Sequence, residues 1–269
     1  MRKGPVYAIL VSIIALVSIY IFTDIKESKN KTNTDLILVD SDISEINVFN
    51  KSLNEKDVST LNQLYDEAKN KGNNTAADQL IQFYEEREQF NFAAYYHSLK
   101  AEISKDSENW EIAGDRQLSV SSNEAYDEIF NSKLYEQSLV SYQNAINLDP
   151  GNLDLQVKLG SAIVDRSPQP MQGISLLLGV IEKDSMHLNA NLALGKFGII
   201  SKQYDKAAIR LEKVLSLQPE NTEALFLASE AYSNLGDKEK AIRCLQKCRE
   251  LVENEDLKKE IDAYMQQLL

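Results

Sequence analysis

The chain has 269 residues, 43% hydrophobic and 26% charged, an ordinary globular composition that can bury a substantial core and excludes disorder as the main state. Ten glycines and five prolines supply too few turn signals for a β-rich fold, so the composition points to an all-α architecture. A formal net charge of −12 without a basic run excludes a general nucleic-acid binder, because counterion release needs clustered Lys and Arg.

Residues 1–4 read as a short cytoplasmic tail carrying Arg2 and Lys3. Residues 5–23 (PVYAILVSIIALVSIYIFT) contain no charge and approach the roughly 20 residues that cross a bilayer as a helix. A cleaved secretion signal is the alternative, but its apolar region is about 7–15 residues long and ends in small residues. Here the end is bulky (Ser18-Ile19-Tyr20-Ile21-Phe22-Thr23), and no Cys stands nearby to accept a lipid. An uncleaved anchor is the favoured reading. Lys26, Lys29 and Lys31 compete with Arg2 and Lys3 in setting orientation; the short basic tail favours a cytoplasmic N-terminus and an exported C-terminal domain. Residues 24–52 read as a tether, since 25–34 (IKESKNKTNT) are polar and without periodicity. A leading helix is expected within 53–73.

Sliding the C-terminal half against itself by about 34 residues aligns 188–221 with 222–255. Each has a helix of small and apolar residues, a short polar turn, and a second helix opening Asp-Lys-Ala-Ala (205–208) or Glu-Lys-Ala-Ile (239–242). Upstream, 153–187 repeats the pattern with Leu159-Gly160 and Gly173-Ile174, its turn lengthened at Ser167-Pro168-Gln169-Pro170. The unit 108–152 opens with Trp110 and Ala113-Gly114, closes with Leu148-Asp149-Pro150, and is about nine residues too long, with the excess near 120–128. The segment 74–107 carries Leu80-Ile81, Tyr84, Phe90 and Ala93-Ala94 at the right spacing, although its second helix is unusually aromatic. Residues 256–269 place Leu257, Ile261, Tyr264 and Leu268 at helical spacing, as a capping helix needs.

These residues resemble the tetratricopeptide-repeat family. Leu194-Gly195, Tyr204, Ala207 and Pro219 stand at its signature positions, as do Ala228-Ser229, Tyr232, Gly236-Asp237 and Ala241 in the next unit, where Glu253 replaces the family's Pro. The resemblance implies a right-handed α-solenoid of stacked helix-turn-helix repeats, preceded here by one transmembrane helix. A lone pair of helices leaves an apolar face uncovered, and stacking completes the core.

Catalytic chemistry is not expected, nor is a cofactor, a metal or a small-molecule substrate. The two histidines, His97 and His187, have no Cys, Asp or Glu at ligand spacing. His97 falls at a packing position of a second helix, and His187 in a turn where solvation is expected. Cys244 and Cys248 lie about 6 Å apart in rise along a helix, open to a metal half-site or a strained disulfide, but buried free thiols are the favoured reading. Asn30, Asn50 and Asn73 fit the glycosylation acceptor pattern, which arises easily by chance in an Asn-rich chain.

In the family, first helices of successive repeats line a concave groove that accepts a partner peptide or helix. The residues at those positions are Lys158, Ser161, Asp165, Asn189, Leu192, Lys196, Ile199, Glu223, Phe226, Glu230 and Asn234, a mixture of apolar anchors and both charges. The Lys, Asn and Arg set with which some members hold a chaperone's C-terminal carboxylate is not reproduced. The expectation is a non-catalytic scaffold or adaptor binding protein partners, tethered to a bacterial inner membrane with its C-terminal domain in the periplasm, in envelope protein assembly or secretion support. That layout resembles anchored members of the family that assist the secretion channel or cytochrome c maturation. The alternative is a permanent structural subunit of a membrane complex.

Overall fold

The computed structural model describes residues 52–123 and 128–269. The expected tail, membrane anchor and tether lie outside the described residues, apart from the final position of the tether. Among the described residues no helix is long and apolar enough to cross a membrane.

Twelve helices and no strand make up the described residues: α1 (Glu55–Lys71), α2 (Asn74–Glu85), α3 (Phe90–Ser104), α4 (Ser107–Val120), α5 (Glu128–Leu148), α6 (Leu153–Arg166), α7 (Pro170–Lys183), α8 (Leu188–Ile200), α9 (Tyr204–Leu217), α10 (Thr222–Asn234), α11 (Lys238–Leu251) and α12 (Glu255–Leu268). Each helix packs on the next, most closely α4 on α5 and α6 on α7. The first helices α6, α8 and α10 also touch one another in sequence. Part of the excess of the 108–152 unit lies in α5, which has 21 residues where α7, α9 and α11 have 14.

Turn chemistry explains the segmentation. Every even-numbered helix starts at a side-chain cap: Asn73, Asp106, Asn152, His187, Asn221 and Asn254 each accept a hydrogen bond from a backbone N–H of the first turn. Three of the turns within pairs pass through the left-handed region, at Glu88 (φ 57°), Lys202 (φ 59°) and Gly236 (φ 81°). The residue that follows closes the preceding helix, with Gln89 N donating to Tyr84 O (2.8 Å), Gln203 N to Gly198 O (2.7 Å) and Asp237 N to Tyr232 O (2.9 Å).

Packing within pairs depends on small residues at the helix crossings. A Cβ on Gly114 would overlap the Tyr142 ring, and one on Gly173 would overlap the Gly160 carbonyl oxygen, so α6 and α7 cross backbone to backbone. The C-terminal core joins Leu211, Val214, Leu225, Leu245 and Ile261 across α9 to α12. The N-terminal core is aromatic: Tyr84 stacks on Tyr96 with centroids 5.2 Å apart, and Phe92 meets Phe130 edge-on at 5.9 Å. Between these lies a polar contact that the helical pattern did not suggest. Gln117, fully buried on α4, donates to Ser98 of α3 and accepts from Ser141 of α5 at 2.8 Å.

Candidate interaction groove

A groove with a cavity of about 190 Å³ opens between α6 and α8. Val157, Ser161, Val164 and Asp165 form one wall, and Asn189, Leu192, Ala193, Lys196, Phe197 and Ile200 the other. Leu177 of α7 reaches it from below, and Glu223 closes it at the start of α10. The wall positions recur at three- and four-residue steps because each wall is one face of a helix. Lys196 Nζ stands 4.0 Å from Asp165 Oδ1 across the groove, with both side chains about half exposed, so both charges remain open to a ligand. Asn189 Nδ2 donates to Asp154 at 3.0 Å, tying α8 to α6 at the other end.

Six of the eleven residues named from the sequence therefore meet in one place: Ser161, Asp165, Asn189, Leu192, Lys196 and Glu223. Phe226, Glu230 and Asn234 lie beyond it on α10, where the Phe226 ring leans on Tyr264 (centroids 6.3 Å) and Asn234 donates to the Glu230 carbonyl at 2.9 Å. Lys158 faces α4 instead, 2.7 Å from Glu111 and 2.6 Å from Asp115. Burial pulls the Lys158 ammonium down, but the hydrogen bonds and charges of Asp115 and Glu111 outweigh it and hold it above the usual lysine value. Ile199 packs in the core, and its neighbour Ile200, 65% exposed, takes the groove position. The apolar wall of Val157, Val164, Ala193 and Phe197 was absent from the set, although the same helical period contains it.

Other expectations need correction or placement. His187 is not solvated: its side chain is 12% exposed, caps α8 through Nδ1 to Ala190 N (3.4 Å), and places Nε2 3.7 Å from Asp154. Its position before a helix demands an acceptor, which explains the burial. Cys248 is buried beside the Thr222 carbonyl (3.7 Å), Cys244 is half-buried, and both thiols are free. Burial raises both thiols above the ordinary range, which disfavours the reactive thiolate. Asn73, one of the glycosylation matches, uses its side-chain oxygen to cap α2.

Two further openings lie among the described residues. One, of about 260 Å³, lies between α2, α3 and α4 and contains His97 and Arg116. The other is a shallow groove between α5 and α7 over Leu159 and Ile163 of α6, lined without any charged side chain. Among the described residues no cluster of three His, Cys, Asp or Glu is placed to hold a metal ion.

Residues 199–257 match the family model of the tetratricopeptide repeat. No curated protein matches the chain. Solved structures that resemble it include one of MamA (TM-score 0.50, 19% identity, covering 69% of this chain and 97% of that one) and one of MamA 41-end from Desulfovibrio magneticus RS-1 (TM-score 0.50, 17% identity, 66% and 94%). YrrB, a TPR protein with an unusual peptide-binding site, aligns at TM-score 0.48 with 17% identity, over 74% of this chain and 96% of that one. At these identities the likeness concerns the fold. The described residues thus form an all-helical array of paired helices, and its segment 199–257 matches the tetratricopeptide-repeat family model.

Proposed function

We propose that this protein is a non-catalytic scaffold that holds an extended or helical segment of a protein partner in the groove of α6, α8 and α10. The observation that carries the reading is the groove itself: an apolar trough of Val157, Leu177, Leu192 and Phe197, flanked by the loosely paired Lys196 and Asp165 and by Glu223. Such a trough takes one or two apolar anchors, and the flanking charges select what surrounds them. Residues 5–23 tether the scaffold to a bacterial inner membrane with the repeats on the periplasmic side, where partners in envelope assembly or secretion would be met. Support for the tether is the uncharged sequence of that span and the basic residues before it.

Selection of peptides from a random display library on the detergent-solubilised full chain tests the groove. Peptides that bind the wild type should lose binding to an Ile200→Asp/Lys196→Glu variant, whose changes are both on exposed side chains. Retained binding of every selected peptide sinks the reading. A topology reporter fused after Leu269 tests the orientation, and activity on the cytoplasmic side contradicts it.

A second reading, a permanent structural subunit of a membrane complex, is favoured by the uncharged α5–α7 groove, where Val140 is exposed. A lone protomer after mild solubilisation speaks against it.

A further inference from the structure

We infer that the cavity between α2, α3 and α4 is a second binding site, one that takes the side-chain carboxylate of an Asp or Glu in an extended partner peptide together with the apolar residue beside it. The site is separate from the α6–α8 groove and does not depend on that groove being occupied.

The cavity of about 260 Å³ opens at the C-terminal end of α2. With 12 residues, α2 is the shortest of the twelve helices and ends at Glu85. The opening runs along the first half of α3, from Phe90 past Ala94 to His97, and along the second half of α4, from Arg116 to Val120. Phe90 is 49% exposed, a large apolar side chain without full cover at the edge of the opening.

Charge supplies the second argument. Nearby cations are spent on internal pairs: Lys100 lies 2.6 Å from Asp78, and Arg87 lies 3.4 Å from Asp57. Arg116 is exposed, lines the cavity, and has no carboxylate within 4.0 Å among the described residues, in a chain of net charge −12. The His97 ring also lines the cavity, and its Nε2 is buried without a hydrogen-bond partner. A carboxylate matches the two-pronged donor face of the guanidinium, and a neighbouring apolar side chain covers Phe90 and Val120. Glu85 on the far side limits the ligand to one negative charge there, which disfavours a phosphate dianion and selects a single acid beside a neutral residue.

The chain has only two histidines, so imidazole proton resonances read the site directly, with His187 as an internal reference. The probe is a blocked Asp-Leu tetrapeptide added to the full-length chain in detergent, compared with its Asn-Leu analogue and with free acetate. The Asp peptide should shift the His97 resonance and leave His187 in place, whereas the Asn peptide should bind at least about tenfold more weakly through loss of a charged hydrogen bond, and acetate at least about tenfold more weakly through loss of the apolar side chain that covers Phe90 and Val120. Arg116→Gln should weaken the Asp peptide by about 10- to 100-fold, and Phe90→Ala should weaken it while retaining the preference for acid over amide. No shift of His97 at millimolar Asp peptide, an equal response to the Asn peptide or to acetate, or unchanged affinity in Arg116→Gln overturns the inference.

Discussion

Lys158 Nζ of α6 lies 2.6 Å from Asp115 Oδ2 of α4, so a cation at a presumed ligand-facing position serves instead to join two helical pairs. Asp115 also accepts from the Tyr142 hydroxyl at 2.8 Å, extending the contact to α5. The side chains are partly exposed, which limits the gain. Lys158→Met is expected to lower stability by about 0.5–1 kcal/mol and to leave binding of groove-selected peptides unchanged. Denaturant unfolding and peptide titration check the two halves, and a loss of peptide affinity with intact stability contradicts this placement.

The α6–α7 crossing makes a sharper mechanical expectation. Gly173→Ala pushes a methyl group against the Gly160 carbonyl and should cost about 1–3 kcal/mol. Gly179→Ala, on the same helix but with open space around its Cβ, should stabilise by about 0.5–1 kcal/mol through helix propensity. Opposite signs in thermal melts are the expected result; equal effects would place the crossing elsewhere.

Lys202 and Gly236 occupy the same turn position in successive pairs, both at positive φ. Only the glycine adopts that conformation without a steric penalty. Lys202→Gly should therefore gain up to about 1 kcal/mol, the unfolded-state entropy of glycine offsetting part of the relief. A measured loss would show that the Lys202 side chain contributes more than its backbone costs.

Two groups on α3 give opposite pH dependences. Burial raises the Glu102 carboxyl to about 7, an effect partly countered by Lys69, and its Oε1 is sealed without a partner. The folded chain binds that proton more tightly than the unfolded one, so stability falls as pH rises from the ordinary 4.5 through about 7. Burial lowers His97 to about 4, with Arg116 and Lys100 acting in the same direction and Asp78 against it. Its contribution is complete above the ordinary 6.5 and is lost as pH falls through about 4. Glu102→Gln should therefore be more stable than the wild type at about pH 8 and close to it at about pH 5. Urea midpoints at the two values decide this, and equal midpoints at the higher pH contradict it.

The paired helices were legible because their signals are local: capping Asn and Asp residues, small residues at crossings, and a recurring length. The groove was legible in part for the same reason, since one helix face follows a fixed period. Ile199 and Ile200 mark where this stops, because adjacent apolar residues on a helix are about 100° apart and only the neighbouring pair decides which is covered. Lys158 failed for a different reason. Its partners, Glu111 and Asp115, sit in the unit of irregular length, so their register against α6 could not be read along the chain. Gln117 likewise needs Ser98 and Ser141 from two other helices before its burial makes sense.

The central claim is that a protein partner occupies the groove of α6, α8 and α10, and site-specific crosslinking in intact cells tests it most directly. A photoreactive residue is placed at position 196, inside the groove, or at position 209, an exposed site on α9 that does not line the groove. The account predicts a discrete crosslinked protein from position 196 and none of the same mass from position 209. The same product from both positions, or a product from position 209 alone, would contradict it.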